Sequence, residues 1–258
     1  VSAVLRYEWL RVVTVRSTWV LVALGIALPG VLAFFLAWAG AAFINSGNDG
    51  GQGGPPDGEI LAPLGLSPAT VLLLASLLVT IGAVAFGQEY RHGLIRITLA
   101  LFPRRTTVFF GKTIMVILVV VATSIVAITS VIVGNRFGLA VGDGTLEVEI
   151  STALLLIARV IVVITVFTLI AFAVTALSRN QPLGILVPIV GAAVVEPIIQ
   201  AIALIQDWTW IVWVLPFTGG IEAVETTGAE AWGHLAVFVA WMLALLIPSW
   251  VLFVRRDA

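Results

Sequence analysis

Gln88-Glu89-Tyr90-Arg91-His92-Gly93-Leu94-Ile95-Arg96-Ile97-Thr98-Leu99-Ala100-Leu101-Phe102-Pro103-Arg104-Arg105-Thr106-Thr107 sets four arginines between two long apolar runs, and the side of a membrane it occupies fixes the rest of the chain. Basic residues are retained on the cytoplasmic side during insertion, so this connection is read as cytoplasmic. Outward from it, the termini and the connections on the same side carry Arg6, Arg11, Arg16, Arg91, Arg96, Arg104, Arg105, Lys112, Arg179, Arg255 and Arg256. The alternate connections carry Arg136 as their one basic residue, together with Asp49, Asp57, Glu59, Asp143, Glu147, Glu149, Asp207, Glu222, Glu225 and Glu230. Such a split places both termini in the cytoplasm of a multi-pass protein of the cell membrane.

Composition agrees. The 258 residues are 60% hydrophobic and 10% charged, and the mean hydropathy is +1.15, far too apolar for a water-soluble domain. Spanning about 30 Å of hydrocarbon takes about 20 mostly apolar residues. Six runs qualify: Trp19 to Phe43, Ala69 to Gly87, Lys112 to Val133, Thr152 to Leu177, Leu183 to Ile205 and His234 to Val254. The expectation is one all-α membrane domain over residues 1–258 with six transmembrane helices. The first run is too long for a signal-peptide core and follows an 18-residue charged segment, so it is read as a retained span. The chain has no cysteine, which excludes disulfides, thiolate metal sites and thiol nucleophiles.

Three flanking segments have characters of their own. Residues 1–18 place Val1, Leu5, Trp9 and Val12 on one helical stripe with Tyr7, Arg11 and Thr14 opposite, which fits either an interfacial amphipathic helix or a basic topology-setting tail. Asn45 to Pro56 is rich in glycine and polar residues and reads as a mobile external loop. Residues 206–231 are too apolar for a solvated loop and too short to span. They read as a short external re-entrant hairpin broken at Pro216 and Gly219-Gly220, with Trp208, Trp210, Trp213 and Trp232 at the outer interface. Small-residue spacings at Ala83 and Gly87, and at Gly184, Gly191 and Ala192, permit close helix packing.

Within the opening stretch, Pro103 ends a short helix and Thr106 or Thr107 is placed to cap the next one. Leu94, Ile95, Ile97, Leu99 and Leu101 are offered for a contact. Gly111-Lys112-Thr113 imitates the tail of a phosphate-binding loop, but Thr106 stands where that loop needs glycine, and no strand precedes it. Lys112 is read as an interfacial anchor. Two ionisable residues fall inside the apolar runs. Glu196 lies roughly 20 Å deep at 1.5 Å per residue and must face the bundle interior, a partner helix or a water-filled path, with Gln200 on the same face. Arg159 is read chiefly as snorkelling to the outer headgroups, with pairing to Glu196, Glu147 or Glu149 as the sharper option. His92 and His234 have no partners at metal-ligand or triad spacing, so neither a metal site nor a catalytic residue is expected.

The pattern Gln88-Glu89-Tyr90-Arg91-His92-Gly93-Leu94, with Leu99 to Pro103, Arg104-Arg105 and Lys112 following, resembles the cytoplasmic signature of type 2 ABC exporter permeases. Tyr7-Glu8-Trp9-Leu10 and Arg16-Ser17-Thr18-Trp19 resemble that family's interfacial helix and its entry into the first span. Leu94 departs from the threonine common after the signature glycine. The resemblance implies that two permease copies, identical or homologous, pair around a central path while two separate ABC ATPase subunits dock on the cytoplasmic elbows. ATP and Mg would then be bound by the ATPase, with no cofactor in this chain, no enzymatic activity of its own and no nucleic-acid partner. The coupling loop would be residues 88–111, with Glu89, Arg91, Gly93, Leu94, Leu99, Pro103, Arg104 and Arg105 facing the ATPase. Independently of the resemblance, Glu196, Gln200 and Arg159 are intramembrane polar residues that either line a substrate path or make structural contacts between helices. Cargo would be drug-like, lipid-like or peptide. The alternative is a proton-coupled secondary transporter using Glu196.

Overall fold

The computed structural model describes residues 2–14, 16–45, 63–144, 149–226 and 228–255, and among them every regular element is a helix. In chain order these are α1 (Ser2–Thr14), α2 (Arg16–Asn45), a 3-10 turn (Pro63–Gly65), α3 (Pro68–Arg91), α4 (Ile95–Leu101), α5 (Arg105–Val141) and α6 (Ile150–Ser178). Then follow α7 (Gln181–Val190), a π-helical turn (Gly191–Val195), α8 (Glu196–Ile205), a second 3-10 turn (Thr209–Trp213), α9 (Pro216–Glu225) and α10 (Gly228–Arg255). The expected external loop after Asn45 lies outside the described residues.

Six helical segments are long and apolar enough to cross a membrane: Thr18–Phe43, Pro68–Arg91, Arg105–Val141, Ile150–Ser178, Gln181–Ile205 and Gly228–Arg255. The chain is a multi-pass, all-helical membrane protein. All six apolar runs of the sequence fall inside these segments. The largest difference is α5, whose 37 residues extend about 55 Å at 1.5 Å per residue. Hydropathy marks only the most apolar part, whereas backbone hydrogen bonding carries the helix on past Lys112 and Val133.

Close backbone approach sets the packing. On α2, Ala33, Ala37 and Ala41 are buried at four-residue spacing, opposite Gly134 and Gly138 of α5 and Gly142, which caps its end. A Cβ added at Gly134 would collide with the Gly30 carbonyl, and one at Gly138 with the Phe34 carbonyl. These facing small-residue stripes let two spans meet at van der Waals distance where hydrophobic driving force is absent. The Ala83 and Gly87 and the Gly184 spacings also serve contacts within the chain: Gly82 and Gly87 of α3 lie against Thr168 and Gln181, and Gly184 lies against Thr175.

Two aromatic clusters lock the bundle. At one end Phe86, Phe109, Phe172 and Phe253, from α3, α5, α6 and α10, meet with ring centroids 4.9 to 5.9 Å apart. Towards the other, Phe167 of α6 contacts Phe217 of α9 and Phe238 of α10 at 5.2 and 5.0 Å. Proline interrupts the fifth span as its sequence requires. Pro188 and Pro197 each lack an N–H, and between them the Glu196 N–H bonds the Gly191 carbonyl five residues back.

Candidate functional site

The end of the bundle that carries α4 is built around Lys112. Because α5 begins at Arg105, this residue sits two turns inside a helix and is 0% exposed. An ammonium has three donors and needs three acceptors when buried. Nζ donates to Glu8 Oε1 at 2.6 Å, to Glu89 Oε1 at 2.6 Å and to the Ala85 carbonyl at 3.3 Å. Arg11 closes the group, with Nη1 donating to Glu89 Oε1 at 2.6 Å and Nη2 to the Val84 and Ala85 carbonyls at 3.2 and 2.9 Å. Two carboxylates and two cations sum to zero, which is the condition for holding them away from water. Lys112 is therefore no interfacial anchor, as its place in the sequence had implied; it is a buried ion-pair centre joining α1, α3 and α5.

The same contacts orient α1. Its inward face is Val4, Glu8 and Arg11, at the three- and four-residue spacing that shares one side of a helix, with Val4 packed on Gly111 and Tyr7 against Phe102 at 6.0 Å between ring centroids. Trp9, Leu10 and Val13 point outwards. Of the stripe read from the sequence, Trp9 is exposed and Leu5 half-buried, while Arg11 of the opposite face turns towards Glu89 and the Ala85 carbonyl.

Between α3 and α5 the chain makes a compact elbow. Gly93 adopts φ +67 with nothing within 4 Å of a notional Cβ, so the chain turns sharply after α3. Leu94, Ile97 and Leu101 are 43%, 58% and 64% exposed, and Ile95 is buried against the bundle. Arg91, Pro103 and Arg104 are exposed, Leu99 and Arg105 half-buried. Glu89 is 1% exposed, so among the residues expected to face a partner it serves the elbow from below instead. Thr106 and Thr107 do not cap α5. Its N-cap is Arg104, with no side-chain capping bond.

A second polar constellation surrounds α9. Glu196 is buried and its carboxylate accepts from the Phe217 N–H at 3.0 Å, the Thr218 N–H at 2.5 Å and the Thr218 hydroxyl at 2.8 Å. Gln200 Nε2 donates to the same hydroxyl at 2.5 Å. These amides belong to the first turn of α9, where four N–H groups lack helical partners and the helix dipole is positive. At the opposite end, Arg159 Nη1 donates to the carbonyls of Ala223 and Thr226 at 3.0 and 2.8 Å. Arg159 is buried and neither snorkels outward nor pairs with Glu196; each charge takes one pole of the same ten-residue helix. Of the breaks expected at Pro216 and Gly219-Gly220, Pro216 separates the 3-10 turn from α9, which it opens, whereas Gly219 and Gly220 do not interrupt the helix. They lie inside the helix, against the His234 carbonyl and the Phe238 ring.

The sequence reading missed Glu8, Thr218 and the burial of Lys112. A usable signal existed, since Lys112 is the sole lysine of the chain and Glu8 and Arg11 lie one turn apart on α1. His234 is buried and stacked on Trp213 at 4.0 Å between ring centroids, and among the described residues no group of three histidines or carboxylates is placed to hold a metal. No family model matches the sequence, and no curated protein matches it.

Proposed function

We propose that the chain is the membrane-spanning permease subunit of an ATP-driven exporter of the type 2 ABC class, working with two separate ATPase subunits and a second permease copy. The reading places both termini and the α4 elbow in the cytoplasm of the cell membrane, because eleven basic residues lie on that side. The observation that carries it is the elbow itself. An exposed apolar edge of Leu94, Ile97 and Leu101 is flanked by Arg91, Arg96 and Arg104 and rests on the buried Glu8, Arg11, Glu89 and Lys112 group. A handle fixed this firmly passes a push from outside into α1, α3 and α5 together, whereas a floppy loop would absorb it. Pairs buried in this way resist separation because each charge would be left unpaired. In this reading Arg91, Gly93, Leu94, Leu99, Pro103, Arg104 and Arg105 meet the ATPase and Glu89 braces them; α1 is the interfacial helix, and 206–231 the external re-entrant segment. ATP and Mg belong to the partner, and the cargo is drug-like, lipid-like or peptide.

The alternative of a proton-coupled carrier draws no support from the surroundings of Glu196. Its oxygens accept three bonds from α9, the environment of a helix cap. The deciding experiment co-expresses the chain with ATPase subunits encoded beside it and purifies the assembly in detergent. A triple substitution L94D/I97D/L101D should abolish the complex while membrane insertion persists. An unaffected complex, or nucleotide turnover by the permease alone, would overturn the proposal.

A further inference from the structure

The fifth span is held firmly in one half and lightly in the other. Its α7 half packs on α3 and α6, with Gly87 against Gln181 and Gly184 against Thr175. Its α8 half packs chiefly on the π-helical and second 3-10 turns that flank it, and buries only Glu196 and Ala203. Between the halves lie Pro188, the π-helical turn and Pro197, the features at which helices bend by more than about 20°. Beyond that joint, residues 197–215 run out along α8 and return through the 3-10 turn to the foot of α9. Glu196 ties the two ends of this excursion together, its carboxylate accepting from the Phe217 and Thr218 N–H groups. The returning arm meets α10 at two places, where the Trp213 ring stacks on His234 and where Trp241 Nε1 donates to the Val214 carbonyl at 2.8 Å. Both tryptophans are exposed. His234 Nδ1 is buried at this contact without a partner among the described residues, so closure keeps water from a nitrogen that would bond it. An apolar groove of about 600 Å³ lies where the arm meets α7 and α10, lined by Leu186, Val190, Leu215, Phe217 and Trp241.

The geometry points to a hinged flap, residues 197–215, that swings about a neck at Glu196 and Phe217 and is latched on α10 by Trp213 and Trp241. The Gln200 bond to the Thr218 hydroxyl, one turn from the pivot, parts as α8 lifts. Opening hydrates His234 and uncovers the groove at the end of the bundle opposite the elbow. The ten residues of α8 extend about 15 Å, so a swing of about 20–30° carries its tip about 5–8 Å. The flap goes beyond the exporter reading and belongs to the chain alone, with or without an ATPase on the elbow.

Because the chain has no cysteine, spin labels can be placed at will. Double electron–electron resonance on the full chain in phospholipid nanodiscs measures Leu204→Cys, near the tip of α8, against Leu154→Cys on α6. Phe137→Cys against Leu154→Cys is the pair that leaves the flap out; all three positions are exposed. The latch variant W213L/W241F, which removes the stack and the indole donor, should move the 204-to-154 distance by about 5–8 Å and leave the 137-to-154 distance in place. His234→Leu keeps an apolar surface under Trp213 and removes the unpartnered nitrogen, so its 204-to-154 distribution should be no broader than that of the unlatched parent chain before substitution. An unmoved 204-to-154 distance in W213L/W241F, an equal shift in both pairs, or a broader distribution in His234→Leu overturns the proposal. None of these outcomes bears on whether an ATPase docks, which the detergent co-purification tests separately.

Discussion

Replacing Lys112 by methionine asks whether α1 is held in place by charge. In the native structure the ammonium donates to two carboxylates, each at 2.6 Å, and Glu8 and Glu89 are 3% and 1% exposed. Methionine keeps most of the volume and removes the charge. Two carboxylates then face Arg11 alone, and one negative charge stays buried without a partner, which costs about 3–5 kcal/mol. The least expensive relief is to lift α1 off the bundle and hydrate Glu8. Docking of α1 should therefore weaken by about two to three and a half orders of magnitude. The chain has no cysteine, so a single Val4→Cys reports on its own; Val4 is 2% exposed and packed on Gly111. A thiol-reactive maleimide should label V4C slowly and V4C/K112M much faster. Adding Glu8→Gln restores neutrality and should return the labelling rate most of the way. Equal rates in V4C and V4C/K112M, or an E8Q change that compounds the defect, would refute the argument.

Two further outcomes follow from the packing. Glu196→Ala strips the acceptor from two buried amides of α9 and should cost about 2–4 kcal/mol, whereas Glu196→Gln retains an acceptor oxygen and should cost less; thermal unfolding in detergent measures both, and equal losses would mean that charge, not capping, is what matters there. Gly138→Leu drives a side chain into the Phe34 carbonyl and Ala37 Cβ of α2, so overpacking of about 1–3 kcal/mol should broaden or abolish the folded peak in gel filtration.

How much of this could be read beforehand depends on which physics governs each residue. The six spans were legible because lipid demands an apolar run of fixed length, and no tertiary contact overrides that demand. Pro216 was legible as a break for an equally local reason, its missing N–H, though not as the start of a helix. The face of α1 was not. Its own pattern separates an apolar stripe through Leu5 and Trp9 from Arg11, but which side meets the bundle depends on Lys112, more than a hundred residues away, against which Glu8 is buried. Arg159 failed similarly: a long side chain near a span end ordinarily reaches headgroups, and only the presence of α9 carbonyls within reach redirects it. The stripe of Gly134, Gly138 and Gly142 was written plainly at four-residue spacing, and went unread because its partner stripe lies on a span distant in sequence.

The opposed charges at the two ends of α9 have a mechanical consequence. Glu196 belongs to the fifth span and Arg159 to the fourth, so this one short helix is a strut bolted to both. If either span slides along the membrane normal while the bolts hold, the strut must tilt, and with it the Phe217 ring at its foot. Relative travel of two neighbouring spans is thereby converted into rotation of a third element that crosses no membrane.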